Sequence, residues 1–100
     1  MGKCYKNIKI NEYTAIEVDL EKVIYIENLD AIVVLNHSAS LIFEYILNEK
    51  DNAAISDDMI ASMLKEKYCI DDMTYNDLIA DIDYIMDMFC NIRLMQMDIT

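Results

Sequence analysis

Residues 31–46, Ala31-Ile32-Val33-Val34-Leu35-Asn36-His37-Ser38-Ala39-Ser40-Leu41-Ile42-Phe43-Glu44-Tyr45-Ile46, change periodicity partway along and thereby decide the fold. Ala31 to Leu35 is an unbroken apolar run rich in β-branched residues. That is the pattern of a strand that wants cover on both faces. Beyond it, Ala39, Ile42, Phe43, Ile46 and Leu47 recur at helical spacing and form one stripe to about Asn48. Asn36 or Ser38 caps the helix between the two.

Working back from this junction, the chain reads as strands. In Tyr13 to Leu20, Ile16, Val18 and Leu20 alternate with Glu17 and Asp19, which predicts a half-buried strand with the apolar set inward. Glu21-Lys22 is read as a tight turn, and Val23 to Glu27 as a second strand. Asn28-Leu29-Asp30 then turns the chain into Ala31–Leu35. Links this short make an antiparallel meander. The first dozen residues are expected to be a loosely ordered arm, with residues 13–100 as one domain. The chain has one Gly and no Pro, so its turns rely on Asn and Asp.

Working forward, it reads as helices. Glu49-Lys50-Asp51-Asn52 is a polar loop. Ser56 caps a second helix, with Asp57 and Asp58 where the helix dipole favours negative charge. Its stripe is Met59, Ile60, Met63, Leu64 and Tyr68. Asp71-Asp72-Met73 is the next loop. Thr74 opens a third helix, with Asp77 at capping-box spacing, that runs to about Cys90. Ile92 to Met95 is a short closing strand or a final turn. Strands followed by helices place the chain in the α+β class: a three-stranded antiparallel sheet followed by a three-helix bundle.

Two features of this layout bear on function. On a helical wheel the third helix carries Tyr75, Leu78, Ile79, Ile82, Ile85, Met86, Phe89 and Cys90 in an arc of roughly 140°, wider than one neighbour needs. One flank (Leu78, Ile82, Ile85, Phe89) serves the core. The other (Tyr75, Ile79, Met86) either packs on another helix or the sheet, or forms the wall of a groove. The third strand poses a matching question. It carries no Lys, Pro or bulge of the kind that blunts a sheet edge. Either another strand covers it or it stays open to receive an extended peptide. On the residues alone, the packed flank and the covered strand are the simpler readings.

The order of elements also resembles a known family. Leu35-Asn36-His37-Ser38-Ala39-Ser40-Leu41-Ile42-Phe43-Glu44-Tyr45-Ile46 resembles the "LN-x-[ST]-A-x-x-I-[WF]-x-x-[LI]" signature of PqqD-like proteins, and like it follows a strand. Ile60 to Tyr68 resembles the family's "I-x-x-x-L-x-x-x-Y" second helix. Asp81-Ile82, with Met86 and Phe89, resembles its third helix. Ile92-Arg93-Leu94-Met95 stands where the family ends in "x-G-L-[LI]". The likeness spans roughly residues 13–95 as an ordered set of weak motifs. Arg93 replaces the usual Gly, Phe43 stands where Trp is common, and the Gly usual after the first helix is absent.

The resemblance implies a winged-helix-like unit that acts as a RiPP recognition element. Such domains bind the leader of a ribosomally made precursor peptide as an added strand. They present it to a maturation enzyme, such as a radical-SAM protein, a cyclase or a leader peptidase. Carried onto this chain, the peptide-binding residues are Ala31, Ile32, Val33 and Val34 on the strand, and Tyr75, Leu78, Ile79, Ile82 and Met86 on the third helix. Asp83 at the rim meets a basic or hydroxyl side chain, or is simply solvated. The open edge is also where two copies would pair as a homodimer.

Composition narrows the other classes. Nineteen acidic residues against eight basic ones give a net charge of −11. Such a surface repels nucleic-acid phosphates and anionic membranes, and favours basic partners or simply solubility. A winged-helix DNA-binding regulator needs a basic recognition helix, whereas the third helix presents four Asp and no Lys or Arg. A carrier protein needs an Asp-Ser pair at a helix start, yet Ser38 follows His37 and Ser56 follows Ile55. A helical protein–protein interaction module using the same apolar flank is the remaining alternative. No catalytic set surrounds His37, so the chain is read as a non-enzyme without cofactors. Cys4, Cys69 and Cys90 lack metal-ligand spacing and read as small apolar fillers in a reducing compartment. The start of the chain lacks a secretory or myristoylation pattern, and no apolar run nears the ~20 residues of a membrane span. The expectation is a soluble, cytoplasmic protein.

Overall fold

The computed structural model describes residues 2–49, 51, 54–68 and 74–100. In chain order it contains strands β1 (Cys4–Ile10), β2 (Tyr13–Val18), β3 (Glu21–Ile26) and β4 (Ala31–Leu35), then helix α1 (His37–Glu49). Strand β5 (Ile55–Ser56), helices α2 (Asp57–Tyr68) and α3 (Tyr75–Asn91), and strand β6 (Met95–Ile99) follow. Mixed α and β structure, three helices and an antiparallel meander agree with the expected class. The expected polar loops at 49–52 and 71–73, and Cys69, lie wholly or partly outside the described residues.

The meander β2-β3-β4 pairs Tyr13–Val18 with Ile26–Glu21, and Lys22–Ile26 with Leu35–Ala31. Its first turn is Asp19-Leu20, not the expected Glu21-Lys22. Asp19 takes the left-handed φ of 58° that the turn requires, which Asp tolerates better than most residues. Lys22 is instead drawn into the strand. Its ammonium is buried on the inner face, 2.8 Å from Glu44 and 3.7 Å from Glu17, and lies over the Phe43 ring. A one-turn 3₁₀ helix (Glu27–Leu29) and Asp30, at φ 49°, link β3 to β4.

The face of β2 is also the reverse of the expectation. Tyr13, Ala15 and Glu17 share a face with Ile24 and Lys22, so Ile16 and Val18 point away from the core. Two anchors set this choice: the Tyr13 ring packs edge-on against Phe43 (5.3 Å), and Glu17 pairs with Lys22.

The first dozen residues are not a loose arm. Strand β1 is the centre of a second antiparallel sheet, β5-β1-β6, paired with the last strand of the chain. A register shift between Lys6 and Lys9, with Asn7 at φ 54°, marks a bulge. The extra residue puts Tyr5 out of step with Ile8 and Ile10, which hides the alternation from a sequence reading. Tyr5 is fully buried, and its hydroxyl donates to Asp83 at 2.6 Å. Asp57 ties the same segment to α2: it accepts from the Lys3 N–H at 2.9 Å, and its own N–H donates to the Lys3 carbonyl. A Cβ on Gly2 would come within 2.2 Å of Asp57 Oδ1, so a side chain at the chain's one glycine would displace the Asp57 carboxylate.

The helix ends follow from local chemistry. Asn36 caps α1 by accepting from the Ala39 N–H, Ser56 caps α2 by accepting from the Met59 N–H, and Thr74 caps α3 by accepting from the Asp77 N–H. After α3, Leu94 N–H donates to the Phe89 carbonyl and Arg93 N–H to the Cys90 carbonyl, a Schellman closure. Arg93 occupies its left-handed position at φ 63°. The core joins the inner face of the meander (Ile24, Ile26, Leu35) to α1 (Ile42, Phe43, Ile46) and α3 (Leu78, Ile82, Met86, Phe89). Phe43 and Phe89 meet edge to face at 6.1 Å.

Candidate functional site

Among the described residues, strand β4 has one hydrogen-bonded neighbour, β3, and its other side is the edge of the sheet. Which main-chain groups face that edge follows from the ladder. Glu27 N–H donates to the Glu12 carbonyl at 3.2 Å. In antiparallel pairs, positions that exchange hydrogen bonds alternate with positions that do not. Thr14/Tyr25, Ile16/Val23 and Val18/Glu21 therefore share the bonded phase of Glu12/Glu27. Lys22, Ile24 and Ile26 then turn their main-chain groups to the other side and bond Leu35, Val33 and Ala31. The N–H and C=O groups of Ile32 and Val34 are left facing outward. These two residues also expose their side chains, 71% for Ile32 and 55% for Val34, while Ala31 and Val33 are half-buried on the inner face.

The expected helical wall is mostly unavailable. Leu78, Ile82 and Met86 are buried core residues, because α3 packs against α2 and against β6 of the second sheet. Of the flank that looked surplus, only Met86 is fully buried. Ile79 is half-buried on the core, and Tyr75 stays exposed with the Lys65 ammonium 5.0 Å above its ring. Asp83 is engaged by Tyr5. The structure thus brings Ala31, Ile32, Val33 and Val34 together on one strand, and of the expected α3 residues leaves Tyr75 exposed and Ile79 half-buried.

Burial, then the hydrogen bond to Asp83 and its charge, raises the Tyr5 phenol far above its ordinary range. Burial, with Asp87 nearby, raises the Cys90 thiol, which lowers its reactivity. For Lys22, burial pulls the ammonium down, but the hydrogen bond and charge of Glu44, with Glu17, outweigh it and the net shift is upward.

Two surface features went unnoticed in the sequence. One is an acidic cavity of about 170 Å³ lined by Glu17, Asp19, Glu21, Lys22, His37 and Glu44 at the β2–β3 turn. It is below the roughly 300 Å³ usual for a small-molecule site. The β2–β3 hairpin supplies Glu17, Asp19, Glu21 and Lys22 and α1 supplies His37 and Glu44, so the cavity forms only when the two elements meet. The other is the outward face of the meander, where Ile16, Tyr25, Ile32 and Val34 lie exposed. The alternation in residues 13–20 was its signal. Among the described residues, no helix is long and apolar enough to cross a membrane. Compared with known proteins, the chain matches no family model, no curated protein and no solved structure.

Proposed function

We propose that this chain is a PqqD-like peptide-binding adaptor: a winged-helix-like unit that captures the leader of a ribosomally made precursor peptide as an added strand and presents it to a maturation enzyme. The observation that carries the proposal is the free side of β4, where Ile32 and Val34 aim two donors and two acceptors outward with no Lys, Pro or bulge to deter pairing. The order of a three-stranded meander followed by three helices agrees with it.

Main-chain bonding of this kind tolerates many sequences, so selectivity rests on side chains beside the strand. Alternate residues of the peptide fall next to Val33 on the inner side and next to Ile32 and Val34 on the outer side. The α3 wall of the expected groove is set aside in this reading, since α3 packs chiefly on α2 and β6. The −11 charge favours a leader with basic residues around its apolar anchors. Ordering a flexible peptide costs entropy, so the affinity is expected to be moderate.

The test is a titration of isotopically labelled protein with the leader segment of a short precursor encoded beside a maturase. Amide shifts concentrated on Ile32, Val34 and the β4 edge are expected. Val34→Pro, which deletes one outward N–H, should weaken binding about fivefold, the value of one hydrogen bond near 1 kcal/mol. Shifts that leave β4 untouched would reject strand addition.

A further inference from the structure

The outward face of the β2-β3-β4 sheet is made of Thr14, Ile16 and Val18 on β2, Glu21, Val23 and Tyr25 on β3, and Ile32 and Val34 on β4. The register sets them in rows, Ile16–Val23–Val34 beside Thr14–Tyr25–Ile32. Ile16 is 60% exposed, Val18 48% and Tyr25 37%, in addition to the two β4 residues. A chain with 19 acidic residues places only one, Glu21, among these eight positions. A solvated sheet face normally alternates to polar residues, and this one does not.

We infer that this face is an interface between two copies of the chain, packed sheet on sheet about a two-fold axis. The area fits. Five large side chains at these exposures present roughly 500 Å² of mostly apolar surface, at the top of the range for the largest patch on a monomer. Two such faces, with Thr14, Val23 and Leu20 at the border, bury on the order of 1,200 Å² together. That is just above what a specific interface needs and well short of an obligate one. Flat, twisted sheets of three strands pack in this way at about 10 Å separation. Charge is compatible with a second copy as the occupant: Glu21 is the one acidic residue on the face, and the Thr14 and Tyr25 hydroxyls donate to Glu27 and Asp30 at its border, so the repulsion between copies is of a kind that salt relieves. The contact leaves the outer side of β4 unpaired, and it does not depend on the peptide-capture reading.

Sedimentation velocity of the intact chain from about 1 to 200 µM tests it, a range suited to an interface of this size. A concentration-dependent dimer is expected. It should tighten as NaCl rises from about 0.05 to 0.5 M, because salt screens repulsion between two acidic copies. Ile16→Lys puts a charge in the apolar row, far from the β4 edge, and should weaken dimerisation at least tenfold. Ile16→Thr, which keeps a β-branched side chain, should weaken it less, and it serves as the variant of record if Ile16→Lys fails to fold by circular dichroism. A chain monomeric throughout, a dimer indifferent to folded Ile16 variants, or a dimer that weakens with salt would each overturn the proposal. A dimer broken by Val34→Pro alone would instead be edge pairing, and counts against it equally.

Discussion

The two sheets have the same number of strands and the same antiparallel sense, but they are assembled over different distances. In β2-β3-β4 every pairing is between consecutive strands joined by a few residues. In β5-β1-β6 the central strand is the first of the chain, and it pairs with the last, near residue 100, and with a two-residue strand near residue 55. The local sheet is inexpensive to close and, among the described residues, leaves both its edges and one apolar face open. The distant one must overcome the entropy of a long loop, and it does so with Tyr5, a fully buried side chain. Under the two proposals above the labour is divided: the long-range sheet holds the molecule together, and the local sheet carries the surfaces proposed to meet other molecules.

The sharpest way to break that division is at Tyr5. Tyr5→Ala is expected to lower stability by about 3–5 kcal/mol, the range for deleting a large buried aromatic. Tyr5→Phe keeps the ring and loses the bond to Asp83, for about 1–3 kcal/mol. Denaturant midpoints measure both. A Tyr5→Ala loss under about 1 kcal/mol would mean that the second sheet is dispensable.

Proline scanning of β4 comes next. Val33→Pro removes a donor bonded to Ile24 and should cost roughly 2–3 kcal/mol, whereas Val34→Pro, whose N–H faces outward, should cost less than about 1 kcal/mol. The opposite order would reverse the assignment of which groups face the edge.

Alkaline pH should weaken the fold through the second sheet and Lys22. Tyr5 and Lys22 are both raised above their ordinary values of 10.0 and 10.5. The folded chain then holds protons that the unfolded chain has released. Their stabilisation is complete below about pH 10 and is lost as pH rises beyond it. Tyr5→Phe should make that decline shallower, as read from melting temperatures between about pH 9 and 11.5, a range that spans the ordinary phenol value.

The smallest effect expected is a gain. Arg93 holds the left-handed position of the closure after α3, where a Cβ is unfavourable. Arg93→Gly should raise stability by about 1 kcal/mol or somewhat less, since glycine also gains freedom in the unfolded chain.

What was legible in the sequence was local. The runs at 13–20, 23–27 and 31–35 marked the meander, and Asn36, Ser56 and Thr74 marked the helix starts, because each signal lies within one turn or one strand of its effect. Strand β1 was not legible, since its partner is some ninety residues away and its bulge at Asn7 breaks the alternation. The pattern on β2 showed which residues share a face but not which face turns inward; Phe43 and Lys22, both supplied from elsewhere, decide that. The site was legible to the same degree. An unblunted β4 is a property of five consecutive residues. Leu78 and Ile82 lie on the flank that the wheel turned to the core, and the burial of Met86 beside them is what the wheel left open.

The junction of β1 with β6 has a mechanical consequence. Cys4 and Thr100 exchange both of their main-chain bonds, at 2.9 Å each, so positions 4 and 100 sit side by side at one end of the ladder. A pull that separates these two positions loads the bonds one after another, like opening a zipper, rather than shearing them all at once. Tension applied there should peel the long-range sheet at low force and leave the meander, which lies off the line of pull, folded for longer.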